Sequence, residues 1–303
     1  MKPLSTFCLL QLLTTLAFAQ YQIGLVPRVS PDKAVYQKVG YTEVRLTYGS
    51  PSVQNRAIWG ELVPYDKVWR AGANQATTVE FGTEVSIQDQ KLDSGTYALF
   101  LIPKANDEWT AIFSRKAKQW GAFRYDPEDD ALRVSVRPRR SSLHTESLSY
   151  AIEQFGFQHG SIVLAWVFME ITIPFETNYL HAFEQEVQSR AGKQPPHLRW
   201  VVYLQGAEHL EQINARLDLA SQWINQAESI MRTSEEWNPQ FYPRDYVQGH
   251  VLWTKANVLA KQAAFAEAVS YVEQLKQLPK AQFYERQNEA EGIDDRLEAW
   301  RRK

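Results

Sequence analysis

The sequence predicts an α+β chain of more than one domain: an antiparallel β-sandwich, or a flattened barrel, followed by a domain of α-helical hairpin repeats. Three observations carry this. Up to about Phe175, short runs rich in Val, Ile, Thr, Tyr, Phe and Trp alternate with turn-forming residues. No helix-length segment lies between those runs, as a parallel sheet would require. Beyond residue 196 the apolar period becomes that of a helix.

The β elements follow in order. Thr42–Tyr48 alternates polar and apolar, and Thr77–Phe81, Thr96–Ile102, Trp109–Ser114, Leu132–Pro138 and Ser161–Ile173 continue the series. Asp93-Ser94-Gly95, the stretch from Pro103 to Asp107, and Asp126-Pro127 through Asp130 supply the turns between them. The run from Ser161 to Ile173 is apolar at both parities and is expected to be central in its sheet, or covered on both faces. Pro174-Phe175 marks the expected end of the β domain, residues 20–175. Residues 176–196, ending Ala191-Gly192-Lys193-Gln194-Pro195-Pro196, are expected to be a linker.

In 197–303, the expected helical domain, Leu217, Ala220, Ile224, Ala227 and Met231 fall on one helical face. Leu252, Ala256, Leu259 and Ala263 mark a second face, and Phe265, Ala268, Val272 and Leu275 a third. Ala207 and Ala220 correspond to Ala256 and Ala268, a weak internal repeat. The second unit is similar to a tetratricopeptide helical hairpin, in which small residues let two helices approach. The offset between units exceeds that repeat's length because of an aromatic insert, Glu236 to Tyr246. Ile293, Leu297 and Trp300 predict a final capping helix.

Composition bounds the function. The chain has 303 residues, 33 Lys+Arg against 35 Asp+Glu, 44% apolar and 13% aromatic residues, and a formal charge of −2. That is globular and long enough for two cores. It lacks the basic balance of a nucleic-acid binder. Residues 1–19 read as a cleaved secretory signal: Lys2, the apolar run Leu4 to Leu16, then Ala17-Phe18-Ala19. A periplasmic or secreted protein is expected. The sole cysteine, Cys8, lies inside that signal, so neither disulfide nor thiolate chemistry is expected. No later segment is apolar enough to span a bilayer as a helix.

The densest polar and aromatic stretch is Tyr48–Glu80, a long excursion between two strands. Long ordered loops on a β scaffold are where binding groups concentrate. Arg56 and Arg70 offer planar cationic forks for a carboxylate or phosphate. Asn74 can donate and accept near small neighbours, Thr77 opens the following strand, and Trp59, Trp69, Trp109 and Trp120 offer flat faces. These eight are the candidate ligand-binding residues. Each also has a structural reading, as core aromatic or as a loop-tying salt bridge.

This stretch, together with KLDSGTYALFLIP, DEWTAIF and QWGAFRYDPEDDALRVSVRP, resembles the secreted bacterial family of domain of unknown function 2911, over roughly Ser30 to Phe175. The resemblance implies a β-rich exported protein, often with a helical tail, and brings no established activity. The sequence keeps Trp69, Arg70, Gly72, Ala73, Asn74, Ala76 and Thr77. It has Ser50 where that family has Arg, Asn55 in place of Gly, Ala71 in place of Thr and Gln75 in place of Glu. Without a base at 50 and a carboxylate at 75, this member is expected to bind rather than react.

No cofactor and no metal are expected. His144, His159, His181, His197, His209 and His250 lack metal-ligand spacing, and nucleophile-elbow, phosphate-loop and dinucleotide motifs are absent. Arg133, Arg137, Arg139 and Arg140 read as a solvated strand end. The expected function is an exported, non-catalytic module. Its β domain would bind a small anionic ligand, glycan or peptide, and its helical domain a protein partner. The alternative is a hydrolase of anionic envelope material, with the two Arg holding substrate and a nearby carboxylate as base.

Overall fold

A computed structural model describes residues 27–238, 240, 242–278 and 292–303. The expected signal peptide, residues 1–19, and Cys8 within it lie outside the described residues. The chain divides into two compact units, Met1–Tyr179 and Leu180–Lys303.

The first unit is built from two antiparallel sheets. One has six strands in the order β1 (Asp32–Val39), β2 (Thr42–Gly49), β3 (Ala73–Phe81), β6 (Gly95–Ile102), β7 (Trp109–Ser114) and β8 (Asp130–Val136). The other has the order β5 (Gln90–Leu92), β4 (Val85–Ile87), β10 (His159–Thr177) and β9 (Arg139–Phe155). Their inward faces share one core. Leu46, Val79, Leu99, Leu101 and Phe113 come from the six-stranded sheet, and Ile87, Leu148, Ile162, Leu164, Trp166 and Ile173 from the four-stranded one. Each strand contributes alternate residues, as its period of two dictates. The sheets stay open, so the sandwich is realised and the flattened barrel is not.

Four strands escape the sequence reading. β4 and β5 are only three residues each. β1 and β9 are sheet edges of mostly polar residues and are ordered by their partners: β1 pairs along its whole length with β2, and β9 with β10. β10 is internal to its sheet, as expected, but it is not buried on both faces. Ile162, Leu164 and Trp166 are buried at even positions, and Ile171, Ile173 and Phe175 at odd ones. A register irregularity between Ala165 and Met169 makes the switch, with Val167 at φ +59°. Inserting one residue reverses which parity faces the core.

The expected linker is also different. β10 continues through Thr177, and α1 occupies Tyr179–Lys193. Leu180, Phe183, Val187 and Ala191 recur at helical spacing and outweigh the breakers at its end. Only Pro195-Pro196, entering a short 3-10 turn at Pro196–Leu198, stops the helix.

The second unit continues with α2 (Arg199–Gln212), α3 (Leu217–Thr233), α4 (Arg244–Lys261), α5 (Phe265–Lys276) and α6 (Ile293–Arg301). Ala207, Ala220, Ala256 and Ala268 are all fully buried, as the small-residue repeat predicts. α2 and α3 close one cluster around Leu204, Trp223, Ile224 and Met231. α4, α5 and α6 close another around Leu252, Trp253, Val272, Leu275 and Leu297. Ala263 falls in the turn after α4 and is exposed. The aromatic insert packs back on α2: Trp237 and Tyr242 both lie 5.2 Å from the Trp200 ring, and Arg244 covers Trp237 at 5.0 Å.

Candidate functional site

Between β2 and β3 the chain makes a long excursion, and each part of it is tied to the sandwich. Ser50 is buried and donates its hydroxyl to the Leu148 carbonyl at 2.7 Å. Val53 and Gln54 donate backbone N–H groups to the Glu146 carbonyl at 2.8 Å and carboxylate at 3.0 Å. Arg56 donates Nε to the Val53 carbonyl at 3.0 Å and Nη2 to the Ser52 carbonyl at 2.6 Å, so it mainly ties its own turn. That turn carries Gln54 and Asn55 in the left-handed region, where Asn is tolerated.

The second half of the excursion is held more tightly. Trp69 exchanges both backbone hydrogen bonds with Leu101 of β6 at 2.8 Å and donates its indole N–H to the Gly72 carbonyl at 3.2 Å. The Ala71 carbonyl accepts from the hydroxyls of Thr77, at 2.9 Å, and Tyr150, at 2.8 Å. Gly72 has no room for a side chain, since a Cβ would sit 2.7 Å from Thr77 Oγ1. Ala71 and Asn74 have φ of +52° and +62°. Asn74 donates Nδ2 to the Ser30 carbonyl at 3.0 Å. Residue 70 is thus fixed from both sides by groups that are themselves buried and bonded.

Arg70 is the exception among these residues. Its side chain is half-buried, its Nε is buried with no hydrogen-bond partner, and no carboxylate pairs with it among the described residues. Burial alone pulls its pKa below the ordinary arginine value. It lines a pocket of about 350 Å³ together with Ser52, Arg56, Trp69, Asn74 and Trp166. No Asp, Glu or His lines that pocket among the described residues. Below it lies a cluster of four indoles. Trp59 meets Trp69, Trp109 and Trp166 edge-on at 5.7, 4.9 and 5.7 Å, and Trp69 stacks on Trp166 at 6.0 Å. The indole N–H groups of Trp59 and Trp166 are buried without partners.

The structure therefore brings together four of the eight candidates: Arg56, Trp69, Arg70 and Asn74. Trp59 sits in the indole cluster beside them. Trp109 is buried there too, donating Nε1 to the Lys104 carbonyl at 3.0 Å, and Thr77 is fully buried on Ala71. Both hold the scaffold rather than line the pocket. Trp120 does not line the pocket: its backbone is bridged to Gln75, beside Asn74, and its ring is 56% exposed beneath the Arg28 guanidinium. The residue missed by sequence is Trp166, which reaches the pocket from β10. Its inward parity was the available signal, hidden by the irregularity that follows it.

Residues 30–175 match the model of the family described as Protein of unknown function (DUF2911). The β unit belongs to this family. It is the same stretch that carries the resemblance in sequence, and every residue of the pocket except Val29, which immediately precedes it, lies within it. No curated protein and no solved structure matches the chain.

Three of the four arginines in the basic run of the DUF2911 unit have carboxylate partners. Arg133 pairs with Asp130 at 2.6 Å, Arg137 with Glu108 at 2.8 Å and Arg139 with Glu170 at 3.6 Å, all three arginines at solvent-exposed positions. Among the described residues no three of His, Cys, Asp and Glu gather as metal ligands, and no helix is long and apolar enough to cross a membrane.

Proposed function

We propose that the DUF2911 unit is a binding module for a small anionic ligand, held at Arg70. One observation carries this reading: a half-buried guanidinium with an unpartnered Nε in a pocket that no carboxylate lines. A buried cation is normally paired, because leaving it alone costs free energy. A chain that fixes such a cation between buried, bonded neighbours has preorganised a receptor for an acceptor from outside. The left-handed backbone at Ala71 and Asn74 fits the same reading, since strain of this kind gathers at ligand sites.

A hydrolytic reading needs a base in the same pocket. Glu146, the carboxylate bonded to the excursion, accepts a backbone N–H from Gln54 and does not line the pocket. We therefore take binding without catalysis as the function of this unit. The signal-like residues 1–19 support an exported, periplasmic or secreted setting. The paired small residues of the helical unit support a tetratricopeptide-like pair that docks a protein partner.

The test is thermal denaturation of the purified chain with acetate, benzoate and phosphate, beside Arg70→Met. A ligand at a hundred times its dissociation constant adds about 2.7 kcal/mol. An anion should raise the wild-type midpoint and leave that of Arg70→Met unmoved. Equal shifts in both proteins, or none in either, would remove the reading.

A further inference from the structure

The lining of the pocket also says which kind of anion it suits; this inference rests on the anion reading above. Three features bear on it. First, the unpartnered buried atoms around the pocket are all donors. They are Arg70 Nε and Trp166 Nε1, with Trp59 Nε1 in the adjoining indole cluster, and Trp166 is only 1% exposed. The matching ligand group is an acceptor with no proton of its own. Second, two guanidinium charges line the pocket but only one is half-buried with an unpartnered Nε, because Arg56 is exposed and already donates Nε and Nη2 to its own turn. Third, part of the lining is apolar: Val63, Trp69 and Trp166 inside, with Leu62 and Val29 exposed at the rim, alongside the polar Ser30, Ser52, Gln54 and Asn74.

A phosphate ester is a poor match. It carries about −1.5 to −2 charges and three acceptor oxygens, more acceptors than the one uncommitted fork of Arg70 can meet. A carboxylate carries one charge and two oxygens, and it meets Nε and an Nη of a guanidinium side by side. We infer that the pocket takes a monocarboxylate with an apolar or aromatic body, the carboxylate on Arg70 and the body against Trp69 and Trp166. Trp166 then adds an indole N–H to the carboxylate, and Leu62 and Val29 cover the far end of the body.

The experiment is a calorimetric titration of the purified full chain with phenylacetate, phenylacetamide, acetate and inorganic phosphate. Phenylacetate should bind at least tenfold more tightly than each of the other three. Arg70→Lys keeps the charge but not the fork and should weaken phenylacetate about tenfold. Trp166→Phe keeps a flat face but not the N–H and should weaken it severalfold. Circular dichroism of both variants without ligand identifies any that fails to fold, and Arg70→Lys, on a half-buried side chain, is the safer of the two. Phosphate or acetate binding as tightly as phenylacetate, with dependence on Arg70, would overturn the aromatic monocarboxylate and leave an anion pocket standing. Phenylacetamide binding as tightly as phenylacetate, or no probe binding at all, would overturn both.

Discussion

A guanidinium left half-buried without an acceptor destabilises the fold that carries it, so Arg70 and its neighbours should respond in opposite directions to truncation. Arg70→Met removes the unpaired charge and keeps the aliphatic stem. Its unliganded melting temperature should equal or exceed that of the wild type, while anion binding is lost. Trp109→Ala should instead cost about 3–5 kcal/mol in chemical denaturation, because a fully buried indole leaves a cavity. The two variants separate a binding residue from a scaffold residue among candidates that look alike in sequence. Arg56, Trp69, Arg70 and Asn74 were legible because they crowd one excursion between two strands. What each touches was not legible. The acceptors of Arg56, Thr77 and Asn74 are backbone carbonyls, which every residue has. Trp166 comes from a strand almost a hundred residues further on, and only pairing and parity bring it there.

Elements were legible where their periodicity is local. β2, β3, β6, β7 and β8 have alternating or β-branched runs of their own, and α3, α4 and α5 have clear apolar faces. β1 and β9 do not, since an edge strand takes its register from its partner. α1 was masked by Gly192 and the Pro195-Pro196 pair, although its apolar spacing is helical. Close approach between elements gives the sharpest tests at this scale. A Cβ at Gly49 of β2 would lie 2.3 Å from the Ala73 carbonyl of β3, a backbone atom that cannot rotate away. Gly49→Ala should therefore lower stability by about 1–3 kcal/mol, as overpacking does. Ala268 of α5 is fully buried against α4 and α6. Ala268→Leu should cost a similar amount, with helical circular dichroism retained below the transition. If Ala268→Leu melts like the wild type, the small-residue reading of that hairpin fails.

For the molecule as a whole, the expected mature chain has no cysteine, and each unit relies on its own apolar core. Reductant should leave the unfolding curve unchanged, and the exported form should begin at Gln20 by mass spectrometry. Alkaline pH is the more informative variable. Burial pushes the hydroxyl of Tyr150 well above the ordinary 10.0, and burial with the Asp130 carboxylate pushes Tyr125 to about 12. These phenols are neutral in both folded and unfolded chains below pH 10. Above it the unfolded chain ionises first, so stability is intact up to about pH 10 and falls as pH rises towards 12 and beyond. Denaturation midpoints measured from pH 8 to 12 should be flat at first and then drop.

The central claim is that Arg70 awaits an acceptor from outside the chain. Its most direct test is the Arg70 Nε–H resonance in a nitrogen-edited spectrum, assigned by its absence in Arg70→Lys and followed as phenylacetate is added. The account predicts a saturable downfield shift and slowed exchange with water, with sodium chloride at equal ionic strength causing neither. An Arg70 signal that stays still while the chain binds phenylacetate, or that is already slow-exchanging without any anion, would contradict it.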